Sequence, residues 1–231
     1  MLTDLVRRML GSMPSLKRAL WQAGYQAIAR RYPGPDFLFM NYGYEMAGER
    51  GPDLAPEDEP HRLAIQLYHR VVRRVDLRGR DVLEVGSGRG GGAWYLWRYH
   101  GPHRMVGLDF AARAVALARA AAASGPTFVA AADAEAIPFR EASFDAVVNV
   151  ESSACYPSMA RLLAEVRRVL KTGGHLLFAD FRTDRSIATL RTELAGSGMA
   201  LLAADDITRA VLAALGLDSD LRDALIRATV P

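Results

Sequence analysis

One cysteine, Cys155, stands in 231 residues, so no intrachain disulfide can form and no thiolate cluster can hold a metal. Charge of one sign is scarce too: 29 Lys and Arg against 26 Asp and Glu leave a formal net charge of +3. Basic pairs such as Arg7-Arg8 and Arg73-Arg74 lie scattered through the N-terminal third, which draws no face for nucleic acid. Apolar runs of membrane-spanning length are missing, and so is a charged start leading into a clean apolar stretch. The expectation is a cytoplasmic protein without an integral membrane segment. Half of the residues are hydrophobic, enough to give one large α/β domain a core.

Residues 1–31 carry Leu2, Leu5, Val6, Met9 and Leu10 at helical spacing, and Tyr32-Pro33-Gly34-Pro35-Asp36 breaks that helix. An aromatic segment from Phe37 to Tyr44 and a polar loop through Glu59 follow. Pro60 suits the first turn of a second helix, with Leu63, Leu67, Val71 and Val75 on one face. Residues 1–78 are therefore expected to form a helical cap, and 79–231 the main domain.

From there the chain alternates. Strands are predicted at 81–85, 104–108, 127–131, 144–150 and 175–180, with helices at 91–100, 111–123 and 159–170 between them. Such alternation argues for a parallel sheet with helices on both faces. Residues 199–204 supply a sixth strand, and two short helices follow around Ile207, Val211, Leu215 and around Leu221, Leu225. Asp205-Asp206 read as a helix cap with a solvated neighbour, and no metal site is expected.

Val82-Leu83-Glu84-Val85 runs into Gly86-Ser87-Gly88-Arg89-Gly90-Gly91-Gly92, a strand feeding a helix through glycines. A tight turn and close backbone approach to a ligand require glycine there, and the helix start favours an anionic group. Gly86, Gly88 and Gly91 satisfy G-x-G-x-x-G, a spacing that several cofactor classes share. Asp109 closes the second strand about 20 residues on, where ribose hydroxyls can donate to it; nicotinamide enzymes place an acid there too. Glu84 discriminates: a carboxylate before the first glycine suits the amino end of a cationic cofactor and repels a pyrophosphate. Asp133, in Ala132-Asp133-Ala134-Glu135, is placed to accept from an adenine amino group.

Together with Ser143-Phe144-Asp145-Ala146-Val147 and Lys171-Thr172-Gly173-Gly174-His175, these residues resemble the class I S-adenosylmethionine-dependent methyltransferases from about Arg62 through Arg182. More narrowly, Phe39-Met40-Asn41-Tyr42-Gly43-Tyr44, Ile65-Gln66-Leu67-Tyr68-His69-Arg70, Asn149-Val150-Glu151-Ser152-Ser153 and Phe178-Ala179-Asp180-Phe181-Arg182 look like the phthiotriol and phenolphthiotriol dimycocerosate methyltransferase group. That group includes actinobacterial natural-product methyltransferases. The resemblance implies a Rossmann-like α/β fold and cofactor contacts from Gly86, Ser87, Gly88 and Gly90. It further implies contacts from Asp109, Phe110, Asp133, Ala134 and Asn149, and an N-terminal lid presenting Tyr42, Tyr44 and Gln66.

Two departures stand out. Where the related pattern carries histidine within Glu-Ser-Ser-x-Cys-Tyr-Pro, this chain has Ala154, which cannot take a proton. Glu151, Tyr156 and, on the lid helix, His69 are then the polar catalytic candidates; Cys155 reads as packing. The second is the missing seventh strand, which predicts a homodimer or a rearranged C-terminal region. The leading function is methyl transfer from S-adenosylmethionine to a small-molecule or lipid-like secondary metabolite, most readily at oxygen. The alternatives are a cofactor-binding scaffold or rearrangement catalyst without methyl transfer, and a nicotinamide oxidoreductase.

Overall fold

A computed structural model describes Gly24 and residues 38–121, 125–129 and 132–217. The helix expected over 1–31, the one around Leu221 and Leu225, and the ends of the alanine-rich helix and third strand lie outside these residues. Five parallel strands form one sheet: β1 (Asp81–Val85), β2 (Arg104–Leu108), β3 (Thr127–Val129), β4 (Phe144–Val150) and β5 (Leu170–Ala179), in the order β3-β2-β1-β4-β5. The order reverses at β1, and such a switch point opens a crevice above the strand ends.

Six helices accompany the strands among the described residues: α1 (Arg62–Val72), α2 (Gly91–His100), α3 (Ala112–Ala121), α4 (Met159–Val169), α5 (Asp184–Gly196) and α6 (Thr208–Leu217). Side chains alternate across a strand, so β1 feeds two cores. Val82 joins Ile65, Leu67 and Val72 of α1 and Leu96 of α2, while Leu83 and Val85 join Leu162, Leu163 and Val166 of α4. Each of these fully buried aliphatic side chains contributes about 1.5–3 kcal/mol. Glu84 shares the face of Val82 and is therefore carried into the first core, 1% exposed.

Ser158 starts α4 in an extended conformation, its hydroxyl accepting from the Arg161 amide at 3.3 Å. The helix runs straight into β5, whose pairing with β4 slips between Phe144↔Leu170 and Ala146↔His175. Lys171 lies in that slip, with Nζ 3.0 Å from Asp81 and 2.9 Å from Asp145, pinning the lower ends of three strands. Helix α1 ends at Val72, short of Val75, because Arg73 and Val75 close it with turn hydrogen bonds to His69 and Val72.

The sixth strand is corrected. Residues 199–206 follow α5 as irregular backbone in no ladder, and Leu201 and Leu202 stand 75% and 77% exposed. Ion pairs hold this segment instead: Asp205 meets Arg70 at 2.8 Å and Arg74 at 3.1 Å, both from α1. The chain then enters α6, whose Ala210 carbonyl accepts from the Glu45 amide. The C-terminal region is thus rearranged around the α1 face, leaving β5 with one neighbour among the described residues.

Candidate active site

Above β1, β2 and β4 opens a cleft. Its floor is the glycine loop. Gly86 has φ +76°, and a side chain there would run into Ser152 and the Tyr156 hydroxyl. Gly90 has φ +86°, caps α2 and sits where a Cβ would come within 2.6 Å of the Phe128 ring. Gly86, Ser87 and Gly88 line the cleft, whereas Gly90 faces β3.

Asp109 stands at the end of β2, accepting from the Gly88 and Ala111 amides, each at 2.7 Å. Burial pushes its carboxyl above the ordinary aspartate value, and those amides pull it back. Phe110 beside it lines the cleft, as do Asp133 and Ala134; Asp133 is shaped into a turn by the Glu135 amide at 2.9 Å.

Glu84 and Asn149 lie just beneath the floor. Tyr68 of α1 donates to Glu84 Oε1 at 2.6 Å, and burial pushes the Glu84 carboxyl up to about 8 against the pull of that bond. The Asn149 amide donates to the Val85 carbonyl and to Ser152 Oγ, both at 2.8 Å. Glu84 Oε2, Asn149 Oδ1 and Ser87 Oγ are buried without a hydrogen-bond partner. Three unsatisfied oxygens around one glycine loop fit a ligand that brings N–H or O–H donors, such as an α-amino group and ribose hydroxyls.

The opposite wall is the stretch from Glu151 to Pro157. Glu151 has φ +48°, a conformation costly for a residue with a Cβ and frequent at functional sites. Its Oε2 accepts from the Tyr42 amide at 2.8 Å. Burial raises its carboxyl to about 8; the Tyr42 amide opposes that rise and nearby Asp180 adds to it. The Tyr156 hydroxyl lies 2.9 Å from Ser152 Oγ, and burial pushes this phenol far up.

The cleft brings together Gly86, Ser87, Gly88, Asp109, Phe110, Asp133, Ala134, Glu151 and Tyr156. Others sit elsewhere. His69 turns to Tyr95, 3.1 Å away, beside His100 and apart from the cleft. Gln66 is buried near Gly51, Tyr44 belongs to the core, and the Tyr42 ring packs on Phe181 at 5.5 Å. Tyr68, Arg89 and Ser152 also line the cleft and were not singled out as site residues. The four-residue step from Ala64 to Tyr68 to Val72 is the sequence signal that marks Tyr68 as inward-facing.

A sheet of this order carrying such a cleft is that of a class I methyltransferase. A family model described as a methyltransferase domain matches residues 83–178. The phthiotriol/phenolphthiotriol dimycocerosates methyltransferase of Mycobacterium tuberculosis is 39% identical over 222 residues, 96% of this chain and 82% of that protein. The fatty-acid O-methyltransferase of Mycolicibacterium smegmatis is 37% identical over 208 residues, 90% and 76% of the two chains. Among solved structures, geranyl diphosphate C-methyltransferase from Streptomyces coelicolor, in complex with S-adenosyl-L-homocysteine, aligns with a TM-score of 0.62 at 19% identity, covering 88% of this chain and 92% of that one. The chain belongs to the family of the phthiotriol/phenolphthiotriol dimycocerosates methyltransferases and is an S-adenosylmethionine-dependent methyltransferase. The nicotinamide alternative ends there. Among the described residues no helix is long and apolar enough to cross a membrane, and no group of three His, Cys, Asp or Glu gathers as metal ligands.

Proposed function

We propose that the cleft binds S-adenosylmethionine over the glycine loop and methylates an oxygen of a lipid-like small molecule. The observation that carries the reading is Glu151: a nearly buried carboxyl on left-handed backbone, in the cleft wall facing the loop. Glu84 and Asn149 would answer the amino-acid end of the cofactor, Asp109 its ribose, and Asp133 with Phe110 its adenine. The cofactor supplies an electrophilic methyl group on a sulfonium. Glu151 takes the proton from an acceptor hydroxyl as the methyl arrives. Titrating near 8, Glu151 acts through its deprotonated fraction, which grows as pH rises through that value.

Oxygen is favoured because one relative is named for O-methylation of a fatty acid and the others for phthiotriol-type lipids. The apolar strap Leu38-Phe39-Met40 along the cleft suits an aliphatic acceptor. His69 takes no part. Among the described residues β5 has one neighbour, an edge that a second copy of the chain could cover, and analytical ultracentrifugation would measure such a homodimer. Calorimetric titration with S-adenosylmethionine and S-adenosylhomocysteine, then mass spectrometry of long-chain alcohols and fatty acids incubated with enzyme, tests the main reading. Binding of neither ligand, or methyl groups only on nitrogen or carbon in a wider acceptor panel, would overturn it.

A further inference from the structure

The last paired residues of β4 and β5 are Val150 and Ala179. The next residue on each strand is acidic, Glu151 and Asp180, so two carboxylates leave the sheet side by side. Their surroundings differ sharply. Asp180 has a fully buried side chain. Its Oδ2 accepts from Ser153 Oγ at 2.5 Å and from the Ala154 amide at 3.0 Å, and lies 3.1 Å from an Arg182 nitrogen. Its Oδ1 accepts from the Phe181 amide at 2.8 Å. Arg182 closes a triangle by donating its other terminal nitrogen to Ser153 Oγ at 2.6 Å. Glu151 has the single Tyr42 amide. The negative charge is compensated at Asp180 and not at Glu151.

We propose that Asp180, locked in a triangle with Ser153 and Arg182, is the positioning residue for Glu151, holding the turn that carries it and setting a second carboxylate beside it. The inference rests on Glu151 being the proton acceptor. Adjacent carboxylates cannot both ionise cheaply, and the one with more donors takes the charge. Burial is the larger cause of the raised Glu151 carboxyl, and the neighbouring Asp180 carboxylate adds to it. The same triangle fastens residues 153–155, whose neighbours Ser152 and Tyr156 complete the wall. It also uses the backbone of Ala154, so this position serves the site through its amide and needs no side chain of its own. The other titratable groups around Glu151 are Tyr42 from the strap, Tyr68 from α1, and Cys155 and Tyr156 from the turn. Burial raises all three phenols, so none of them ionises near neutrality.

Carbon-13 NMR of the full chain labelled at the glutamate carboxyl reads this directly, with the Glu151 signal assigned by its loss in Glu151→Gln. Wild type should titrate near 8. Asp180→Asn should lower that midpoint by about one pH unit or more, because the like charge is gone. Arg182→Met should raise it, because Asp180 loses its counter-charge, whereas Arg182→Lys should leave it nearly in place. An unmoved midpoint in folded Asp180→Asn, or in Arg182→Met should the first variant fail to fold, overturns the proposal. A normal rate of hydroxyl methylation by Glu151→Gln would instead overturn the proton-acceptor reading while leaving the coupling between the two carboxylates measurable.

Discussion

The Tyr68 hydroxyl donates to Glu84 Oε1 at 2.6 Å, joining α1 to the central strand beneath the glycine loop. Through this bond Tyr68 keeps one glutamate oxygen satisfied while leaving Oε2 for a ligand. Tyr68→Phe removes the donor and leaves a buried carboxyl with less support. Hydrogen bonds to charged groups contribute about 1.5–3 kcal/mol. Affinity for S-adenosylmethionine should fall about tenfold or more by calorimetry, with acceptor KM little changed. Unchanged cofactor affinity would remove Glu84 from the site.

Glu84 and Glu151 both make the cofactor-free protein sensitive to pH. Each takes its proton near 4.5 when unfolded and near 8 when folded. Between those values the folded chain holds more protons, so stability is greatest at the acid end and falls as pH rises toward 8. Carboxylates held down by partners, such as Glu165 under Arg168, act oppositely and only below about 4.5. Thermal unfolding from pH 5 to 8 should thus show a declining Tm. Glu151→Gln should flatten part of that decline and raise Tm at pH 8, by about 2–4 °C for each kcal/mol relieved. A Tm that climbs steadily to pH 8 in both proteins would contradict the burial of these groups as carboxyls.

The glycines of the loop separate by experiment as they do by position. Gly90 abuts Phe128 and has φ +86°, so Gly90→Ala must shift an aromatic ring and strain the backbone. Gly88 meets only the Met40 sulfur at 3.4 Å, with φ +53°. Gly90→Ala should lower stability by about 2 kcal/mol or more in urea unfolding. Gly88→Ala should cost about 1 kcal/mol of stability and a larger share of cofactor affinity. Equal effects on both measurements would mean that the loop is a single mechanical unit.

The spacing of glycines shows where a backbone must turn, not what each turn approaches, and this divides what was legible from what was not. Strands β1, β2 and β4 and helix α2 stand where periodicity and turn residues put them, since local pattern and burial agree there. Asp109 and Asp133 were legible because strand ends in a parallel sheet meet at one edge. Residues 199–204 read as a strand from composition alone, but a strand needs a ladder partner, and Asp205 ties this segment to α1 instead. His69 is one residue from Tyr68 on a helix, and one residue is enough to turn it away. The Asp180–Arg182 pair was visible as a motif but not as a device, because its meaning comes from Ser153 on another strand's turn.

With Glu151 in the proposed role of base, two classes of acceptor should respond differently to its loss. A secondary alcohol must lose a proton during methylation, whereas a fatty acid at neutral pH is already a carboxylate and needs only alignment with the methyl group. Glu151→Gln keeps the amide oxygen that the Tyr42 N–H requires but cannot accept a proton from substrate. With a long-chain alcohol, kcat should fall about a hundredfold or more, and the wild-type rate should rise with pH through the Glu151 midpoint near 8. With a fatty acid, the variant should retain most of its rate, because the missing base was not needed. Loss of both activities with cofactor affinity intact would show that Glu151 orients the acceptor and is not its base. Retention of both would overturn the reading of Glu151 as the proton acceptor.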